Sequence, residues 1–382
     1  MATTGIRRAI IVGGGVGGLS AGIALSGVGV ECAIYERGER IGLGGTGLTL
    51  WPNALRALEK LGLDTAVLRH ADPLVRGEVL TWRGGRLTTV DLAEIARRSG
   101  RPLVCLRRAD LYAELLARIG DVPIHTGRRC VSYRTHGTGV VAGFDDGSEA
   151  EGDILVAADG IRSRLRNDLL GADPLRYVGW MTWRGVARLP VGTFPSGLYR
   201  EFFGRGSRFG IFAIREDLVY WYGTLNTAAD DRPPIDPSHR DEAIAHFTGW
   251  PDPAVAAIAS TADGDLVRTG VYDTEALPRW TDGRMAVLGD AAHPMTPDLG
   301  QGACQAIEDS LCLAEAVAAE PDPAAALARY EAAGLARTAG LVARSRKVGT
   351  MRQWRHPLLY ALRGAVMRAI PPKLLLKMFE TD

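Results

Sequence analysis

The sequence contains no run of 18 uncharged apolar residues, so we expect no membrane-spanning helix. It also has almost no net charge, because 45 basic side chains oppose 44 acidic ones and leave +1. This balance excludes the broad positive field that unspecific nucleic-acid binding requires. The five cysteines form no CxxC pair and are odd in number. We therefore expect no disulfide framework, no metal site and a reducing, cytoplasmic location.

Glycine, by contrast, is abundant. It supplies 47 of 382 residues, about one in eight against roughly one in fourteen in average soluble proteins. Because 46% of the chain is hydrophobic and no Gly-X-Y period is present, the excess predicts neither disorder nor collagen. We interpret it as a sign of backbone positions that only glycine can occupy. The length exceeds the roughly 250–300 residues of a single core and predicts two closely packed domains.

The opening segment predicts a βαβ unit. Ala9–Val12 is a buried apolar strand, Val16–Val28 carries apolar residues at helical spacing, and Val30–Glu36 returns as a second strand. A GxGxxG turn joins the first strand to the helix through Gly13, Gly14, Gly15 and Gly18. Such a turn lets the backbone approach a pyrophosphate, while the carboxylate of Glu36 can accept a hydrogen bond from a ribose hydroxyl. The sequence thus predicts a dinucleotide site.

A second GxGxxG pattern, Gly42–Gly47, has a different setting. It follows the polar loop Arg37–Arg40 and leads into an extended segment before Pro52, so the strand-turn-helix context is missing. We interpret it as a loop that allows close backbone approach to a flat ligand. A plain loop without a ligand is the alternative.

Two more motifs follow predicted strands. The strand Asp153–Ala158 leads to the acid-glycine pair Asp159-Gly160 and a predicted helix bearing Ser163 and Arg166. The strand Arg284–Leu288 leads to Gly289-Asp290 and then to a glycine-rich helix start. A carboxylate at the end of a buried strand suits a ribityl or ribose hydroxyl, and helix-start N–H groups stabilise negative charge. His293 lacks partners at metal spacing, so we interpret it as a loop histidine rather than a metal ligand or base.

The remaining segments outline the rest of the fold. Long alternating strands rich in aromatic residues occupy 177–225 and predict an antiparallel sheet with one packed face. A strong helix is predicted over Gly302–Ala319, and the chain past Pro321 is expected to be helical. Shorter elements are predicted as helices over Trp51–Leu61 and Arg108–Ile119, a hairpin over Arg76–Leu92 and a meander over Cys130–Gly152.

Three motifs occur in the order and spacing of the FAD-dependent aromatic hydroxylases, the class of p-hydroxybenzoate and salicylate hydroxylases. They are the GxGxxG turn at Gly13–Gly18, the acid-glycine pair and the glycine-aspartate motif. The chain resembles that family over roughly residues 7–345. The resemblance implies an α/β fold with a Rossmann-like FAD-binding domain of the GR2 type, a substrate domain built on an antiparallel sheet, and C-terminal helices. The implied boundaries are 1–75, 102–176 and 269–340 for the FAD domain, 76–101 and 177–268 for the substrate domain, and 341–382 for the helical segment.

The resemblance also implies which residues hold FAD. In the family the GxGxxG turn binds the ADP half, the acid-glycine pair touches flavin and nicotinamide, the glycine-aspartate motif binds the ribityl chain, and a loop lies beside the isoalloxazine. The Trp-Pro-Asn segment of the family matches Trp51–Asn53. Carried over, the FAD contacts are Gly13, Gly14, Gly15, Gly18, Glu36, Arg37, Gly45, Thr46, Gly47, Arg108, Cys130, Asp159, Asp290, Gly300, Gln301 and Gly302.

The resemblance implies a monooxygenase. NAD(P)H docks transiently and reduces FAD, O2 adds at the flavin C4a, and the hydroperoxide transfers oxygen to an aromatic or heteroaromatic carbon. A single nucleotide fingerprint fits this scheme, which needs no second nucleotide domain. An epoxidase, a drug- or natural-product-modifying oxidoreductase, a urate-type purine hydroxylase and a flavin-binding scaffold without turnover remain alternatives. We expect a monomer or homodimer with no nucleic-acid partner and no integral membrane contact.

The substrate residues are sought on the aromatic sheet. Arg208 and Tyr220 lie on successive predicted strands, and Asp298 follows Pro297 in a loop. This pattern resembles the bacterial FAD-dependent urate hydroxylases, which implies that Arg208, Tyr220 and Asp298 are catalytic and that Arg184 and Pro297 also line the substrate. A cationic Arg208 is expected to lower the pKa of an acidic substrate or of Tyr220. The alternative is a hairpin with a solvated Arg and a packed Tyr, and Trp183-Arg184-Gly185 departs from the urate enzymes.

The C-terminal segment from Arg352 to Lys377 mixes basic residues with Leu, Met and Phe. Such a segment can lie on an anionic membrane, pack on the protein's own surface or form a dimer contact. The sequence leaves these three possibilities open.

Overall fold

The computed structural model describes residues 5–42, 46–229 and 234–371. The strands are β1 Arg8–Val12, β2 Glu31–Tyr35, β3 Gly47–Leu50, β4 Pro73–Leu74, β5 Arg76–Thr81, β6 Arg86–Asp91, β7 Leu103–Arg107, β8 Ile124–His125, β9 Cys130–His136, β10 Gly139–Phe144, β11 Glu149–Gly152, β12 Ile154–Ala157, β13 Arg176–Arg188, β14 Leu198–Phe203, β15 Ser207–Ala213, β16 Leu218–Asn226, β17 Thr261–Asp273, β18 Thr281–Asp282 and β19 Met285–Val287. The helices are α1 Val16–Gly27, α2 Pro52–Lys60, α3 Asp64–Leu68, α4 Ala93–Ser99, α5 Arg108–Arg118, α6 Arg164–Leu170, α7 Ser238–Phe247, α8 Ala254–Ala259, α9 Gly302–Ala319, α10 Pro323–Arg352 and α11 Pro357–Ala369.

The first sheet is built on the predicted βαβ unit. Its strand order is β18-β19-β12-β1-β2-β8. β1 lies parallel to both β12 and β2, and β19 is parallel to β12. β1 and β12 are fully apolar in their buried stretches because both faces of this sheet are covered. The carboxyl ends of β1, β12 and β19 therefore meet at one edge, the edge at which open parallel sheets bind ligands.

The second large sheet has the order β17-β13-β16-β15-β14-β5-β6 and is antiparallel except between β14 and β5. Register places Arg208 opposite Thr224, and Arg184 opposite Tyr222. Because alternate residues share a face, these side chains and Tyr220 belong to one face of the sheet. The other face packs against α7, where the ring of Phe247 meets Trp183 and Phe209. The face that carries Arg208, Arg184 and Tyr220 is not the one packed against α7, and we call it the substrate face.

The C-terminal helices follow the prediction for the chain past Pro321. α9 packs against α1 and α10, and α10 reaches the short 3-10 segment Pro297–Leu299. α11 packs against β6. Within the described residues, no helix is both long and apolar enough to cross a membrane.

The predicted fold class, an FAD-binding α/β domain with an antiparallel substrate sheet and C-terminal helices, is confirmed. Two details differ from the sequence-based expectation. β17 runs on to Asp273, past the predicted boundary at residue 268. Ser163 precedes α6 instead of lying inside it, because its hydroxyl caps the helix by accepting from the N–H of Arg166 at 3.0 Å.

Candidate active site

The GxGxxG turn has the geometry that a nucleotide turn requires. Gly13 adopts φ +110°, in the region that favours glycine. A Cβ on Gly13 would collide with the carbonyl of Ala158, and a Cβ on Gly18 with the carbonyl of Gly13, both well inside 3.0 Å. In the described part of the chain, a Cβ on Gly15 meets only Tyr112 Oη, at 3.8 Å. The turn is therefore closed against the protein on one side and open at Gly15.

Glu36 stands beside this turn. Its carboxylate accepts hydrogen bonds from the backbone N–H of Gly14 at 2.7 Å and of Gly38 at 2.8 Å. These bonds fix the carboxylate at the end of β2. The predicted neighbour Arg37 is exposed.

The loop before β3 and the start of α5 lie together. Arg108 donates from its backbone N–H to the carbonyl of Thr46 at 2.8 Å and from its exposed guanidinium to Tyr112 Oη at 2.9 Å. Thr46 is buried, whereas the predicted contact Gly45 lies outside the described residues. Gly47 packs on the ring of Tyr220, where no Cβ would fit. The second GxGxxG pattern therefore contacts the substrate face through Gly47, and it leads into the strand β3 rather than into a helix.

Asp159 follows β12, and only one of its two carboxylate oxygens has a hydrogen-bond partner among the described residues. Its Oδ2 accepts from the N–H of Arg164 at 3.0 Å, which ties it to the start of α6. Its Oδ1 is buried and has no hydrogen-bond partner among the residues described. Burial raises the pKa of this carboxyl. Cys130, the predicted neighbour, is buried at the start of β9, and burial raises its pKa to about 11. The uncommitted Oδ1 is a position at which a ligand can supply the missing donor.

The glycine-aspartate motif brings an exposed carboxylate to the start of α9. Asp290 is exposed in the 3-10 turn Gly289–Ala291, and a Cβ on Gly302 would lie 3.5 Å from its Oδ1. Gly300 adopts φ +64°, and Gln301, buried, accepts from Asn53 at 3.1 Å. The first turn of α9 contains no acidic residue. Its N–H groups therefore remain a suitable place for negative charge.

Asp309 holds the glycine-aspartate motif in place by hydrogen bonding to its backbone, a role that was not predicted from the sequence. It is fully buried and accepts from the N–H of Gly289 at 2.8 Å, while His293 Nε2 lies 2.7 Å away and Arg337 binds its other oxygen. Burial raises the pKa of Asp309, but His293 and Arg337 outweigh that effect and leave it below its usual value. His293 is therefore held through Nε2 by its contact with Asp309. The described side chains form no group able to hold a metal ion.

These residues fit FAD. The GxGxxG turn is open at Gly15, and Asp159 Oδ1 has no donor among the described residues. Asp290 is exposed beside the start of α9. All three lie at one edge of the first sheet. Gly13, Gly15 and Gly18 would hold the diphosphate, Glu36 a ribose, and Asp290 with Gly300, Gln301 and Gly302 the flavin half. Bound FAD would supply the electron transfer and oxygen activation that side chains cannot.

We predict that Asp290→Ala lowers FAD affinity by about 10- to 100-fold, the range for a lost hydrogen bond to a charged group. The fold should persist because Asp290 is exposed. FAD absorbance per protein after dialysis measures the loss, and Glu216→Ala, an exposed acid in the β15–β16 turn, is the matched control. Full retention of flavin in Asp290→Ala would refute the assignment.

The substrate face carries a buried ionic network that we call the Arg208 cluster; its members are Arg208, Glu201, Asp298, Tyr199, Tyr222 and Arg352. Arg208 is 2% exposed. It donates to Glu201 at 3.0 Å and to Asp298 at 2.6 Å. Glu201 also accepts from Tyr222 at 2.5 Å and from Tyr199 at 2.7 Å, and Arg352 donates to the carbonyl of Asp298 at 3.0 Å. Arg208 and Asp298, both expected at the substrate, are in direct contact, and the alternative of a solvated Arg208 is not observed.

The cluster is balanced electrically. Burial opposes the charge of Arg208, but Asp298, Tyr222 and Glu201 outweigh it and raise its pKa above the usual value. Burial raises the pKa of Glu201, yet Arg352 and Arg208 together with the two tyrosine hydroxyls hold it below its usual value. Glu201 and Arg208 are therefore both charged at neutral pH.

This balance predicts acid sensitivity. A carboxylate with a lowered folded-state pKa stabilises the fold above its unfolded pKa, 4.5 for Glu201, and that contribution is lost as the pH falls through the folded value. We expect the free energy of unfolding, from urea titrations between about pH 3 and pH 7, to fall below pH 4.5. Glu201→Gln should be less stable at pH 7 and show a shallower decline. A decline of equal slope in both proteins would contradict this role.

Tyr220 lies on the substrate face but away from Arg208. It pairs with Phe212, four residues or about 13 Å along β15 from Arg208, and Tyr222 occupies the space next to the guanidinium. Burial raises the pKa of Tyr220 to about 12, opposed only in part by Arg184. The expectation that Arg208 lowers the pKa of Tyr220 is therefore wrong: the nearby cation is Arg184, and the pKa is raised.

Arg184 and Pro297 complete the predicted set. Arg184 is half-buried and donates to Thr269 at 2.9 Å. Pro297 is exposed and begins the 3-10 turn that carries Asp298. The sequence missed Glu201, Tyr199 and Tyr222, although a glutamate amid the aromatic residues of β14 was a usable signal.

Comparisons with known proteins agree with the motifs. The family model described as FAD binding domain matches residues 7–345. The chain is 35% identical to the aurachin C monooxygenase/isomerase of Stigmatella aurantiaca over 94% of this chain and 93% of the relative. It is 34% identical to the FAD-dependent urate hydroxylase of Klebsiella pneumoniae over 89% of each. The crystal structure of Klebsiella pneumoniae HpxO complexed with FAD and uric acid matches with a TM-score of 0.90 and 31% identity, over 98% of this chain and 95% of that one.

A family match over most of the chain, together with relatives aligned along nearly their whole length, shows that this chain belongs to the FAD-dependent aromatic hydroxylases and is an FAD-dependent monooxygenase.

Proposed function

We propose that this monooxygenase uses NAD(P)H and O2 to hydroxylate a small aromatic or heteroaromatic molecule that binds in its ionised form on the substrate face. One observation carries the proposal. The Nε–H groups of Arg184 and Arg208 are buried on this face and have no acceptor among residues 5–42, 46–229 and 234–371. A buried donor without an acceptor is costly, so a ligand that supplies acceptors is strongly favoured there.

The chemistry of these donors suits the reaction. Cationic donors favour the charged form of an acidic group and so lower the pKa of a bound phenol, enol or ring N–H. Deprotonation makes the ring electron-rich, which oxygen transfer to carbon requires. Tyr220, protonated at neutral pH, is available as a donor near Gly47, at the end of the face closest to the loop predicted beside the flavin. The protein's contribution is thus to hold the substrate anion, orient its ring and exclude water.

A urate-type purine is the second candidate, since Arg208, Tyr220 and Asp298 match the pattern of those enzymes and a urate hydroxylase is among the relatives. The departure at Trp183-Arg184-Gly185 now has a physical meaning. Trp183 is fully buried on the opposite face against Phe247, so it cannot touch the substrate. Arg184 is on the substrate face, and its extra cation favours a substrate with one more acceptor than Arg208 alone would bind.

We also propose a reducing cytoplasm as the location, supported by five free cysteines of which four are buried, and a monomer or homodimer as the working form.

The test is a panel of aromatic acids, purines and polycyclic phenols, each screened for stimulated NAD(P)H oxidation under 18O2. The expected result is a product carrying one labelled oxygen from O2. Label from water, or a yellow protein that no compound stimulates, would overturn the proposal. Arg184→Gln should raise the KM of the stimulating substrate by about tenfold or more, whereas Arg188→Gln, an exposed arginine of the same strand, should leave it unchanged.

A further inference from the structure

The last described helix, α11, packs Met367 against Leu87 and Phe203, but it also buries an arginine and exposes leucines. Its one fully buried side chain is Arg363, 2% exposed, which donates to the carbonyl of Gly204 at 2.9 Å and to the carbonyl of Arg352. Burial lowers the pKa of Arg363 to about 10. Its outward side chains include Leu358, 74% exposed, and Leu362, 53% exposed. A surface helix normally turns its apolar stripe inward and its charges outward.

The exposed apolar side chains form one continuous stripe. Leu358, Leu362 and Val366 recur every four residues, which places them on one face of the helix, and Leu359 lies beside them. Of the seven large hydrophobic side chains exposed in the described residues, these are four. Single exposed leucines are ordinary, but a contiguous stripe indicates a surface that something covers.

The surroundings of the stripe are cationic. The segment 353–371, which contains α11, has no acidic residue and three arginines, Arg355, Arg363 and Arg368. Arg355 is exposed just before the helix begins, and Arg368 is exposed near its end, with its guanidinium beside Gly364. The acids of the adjoining segment, Asp91 and Glu94, are already paired with Arg97 and Arg98. The helix therefore combines an apolar stripe with two exposed arginines and no acidic residue of its own.

We propose that α11 docks the protein on an anionic membrane surface. An apolar stripe on a helix with exposed arginines and no acid matches an interface in which acyl chains lie below anionic headgroups. A second copy of this chain fits less well, because a symmetric dimer brings the same patch against itself and would set Arg355 and Arg368 against like charges. The four exposed side chains of the stripe are also few against the roughly 20–30 residues a side of a stable interface.

The position of α11 gives docking a consequence. Its start helps to line a cavity of about 330 Å³ through Leu359 and His356, together with Trp180, Asn226 and Gln353. Trp180 and Asn226 continue the substrate face beyond Thr182 and Thr224. Docking would place this cavity at the lipid–water interface, next to compounds dissolved in the membrane. The docking itself does not depend on the proposed hydroxylation.

The test is flotation of the FAD-loaded full chain with phosphatidylcholine vesicles, either neutral or containing about 30% phosphatidylglycerol. We expect at least tenfold more protein bound to the anionic vesicles and release in high salt. Leu358→Ser combined with Leu362→Ser should reduce binding tenfold or more, as should Arg355→Gln combined with Arg368→Gln. Val191→Ser, an exposed valine elsewhere, is the matched control, and flavin content with substrate-stimulated NAD(P)H oxidation verifies that each variant is intact.

Two outcomes overturn the proposal. One is equal binding to neutral and anionic vesicles, or binding to neither. The other is a dimer in light scattering that the paired leucine variant converts to a monomer without any vesicle binding, which would assign the stripe to a second copy of the chain.

Discussion

Replacing Arg208 with Met is expected to lower the free energy of unfolding by about 3–5 kcal/mol, because it leaves the buried carboxyl group of Asp298 without its partner. Glu201 suffers less, since the charge of Arg352 also acts on it. Among molecules that remain folded and hold FAD, substrate-stimulated NAD(P)H oxidation should fall about 100-fold or more, as when one fixed donor is removed from an active site. Urea unfolding and steady-state kinetics normalised to bound flavin measure the two effects.

Asp298→Asn in the Arg208→Met background removes the unpaired carboxyl group and should restore part of the stability but none of the activity. Arg188→Met, which removes an exposed pair with Asp217, should cost less than about 1 kcal/mol. A stability of Arg208→Met within that same range would show that the buried pair does not hold this face together.

The second large effect is expected from Gly18→Ala. One added methyl group would overlap the carbonyl of Gly13, and neither backbone can move without distorting the turn or α1. We expect a loss of about 3 kcal/mol or more in unfolding free energy and little retained FAD. Thermal unfolding and flavin absorbance of the purified variant measure both.

Gly27→Ala is the internal control for that experiment. Gly27 is exposed in the same helix, and within the described residues a Cβ there has no neighbour within 4 Å. Alanine is the better helix former, so this variant should be as stable as the parent or more stable by about 0.5 kcal/mol. Similar losses at Gly18 and Gly27 would mean that the helix, not the close approach to Gly13, sets the requirement for glycine.

Elements with local signals could be predicted from the sequence. α9 begins and ends at the predicted residues Gly302 and Ala319, and the βαβ unit with its turn appears where its glycines and apolar runs indicate. The predicted FAD cofactor and enzyme class are confirmed by the relatives. These succeed because a strand, a tight turn and a helix start each depend on a few consecutive residues.

Elements that depend on pairing between strands distant in sequence could not be predicted from the sequence. Whether Tyr220 or Tyr222 contacts Arg208 depends on the register of β15 with β16, and a shift of two residues would exchange them. β17 was missed because its first residues are polar and its apolar positions are few. The burial of Arg363 in α11 could not be predicted because helical periodicity places leucines inward by default. Arg363 takes an inward position because it donates to two backbone carbonyls and lies over the rings of Phe203 and Tyr360.

α10 has a consequence for how substrates can be accommodated. Along its 30 residues it binds both halves of the molecule: Arg337 holds Asp309 beneath the glycine-aspartate motif, and Arg346 holds Asp273 at the end of β17. These two anchors are nine residues apart, about 13 Å along a rigid helix. α10 therefore ties the two halves together. We expect a change of substrate to be met by side chains on the substrate face, such as Arg184 and Tyr222, rather than by separation of the sheets.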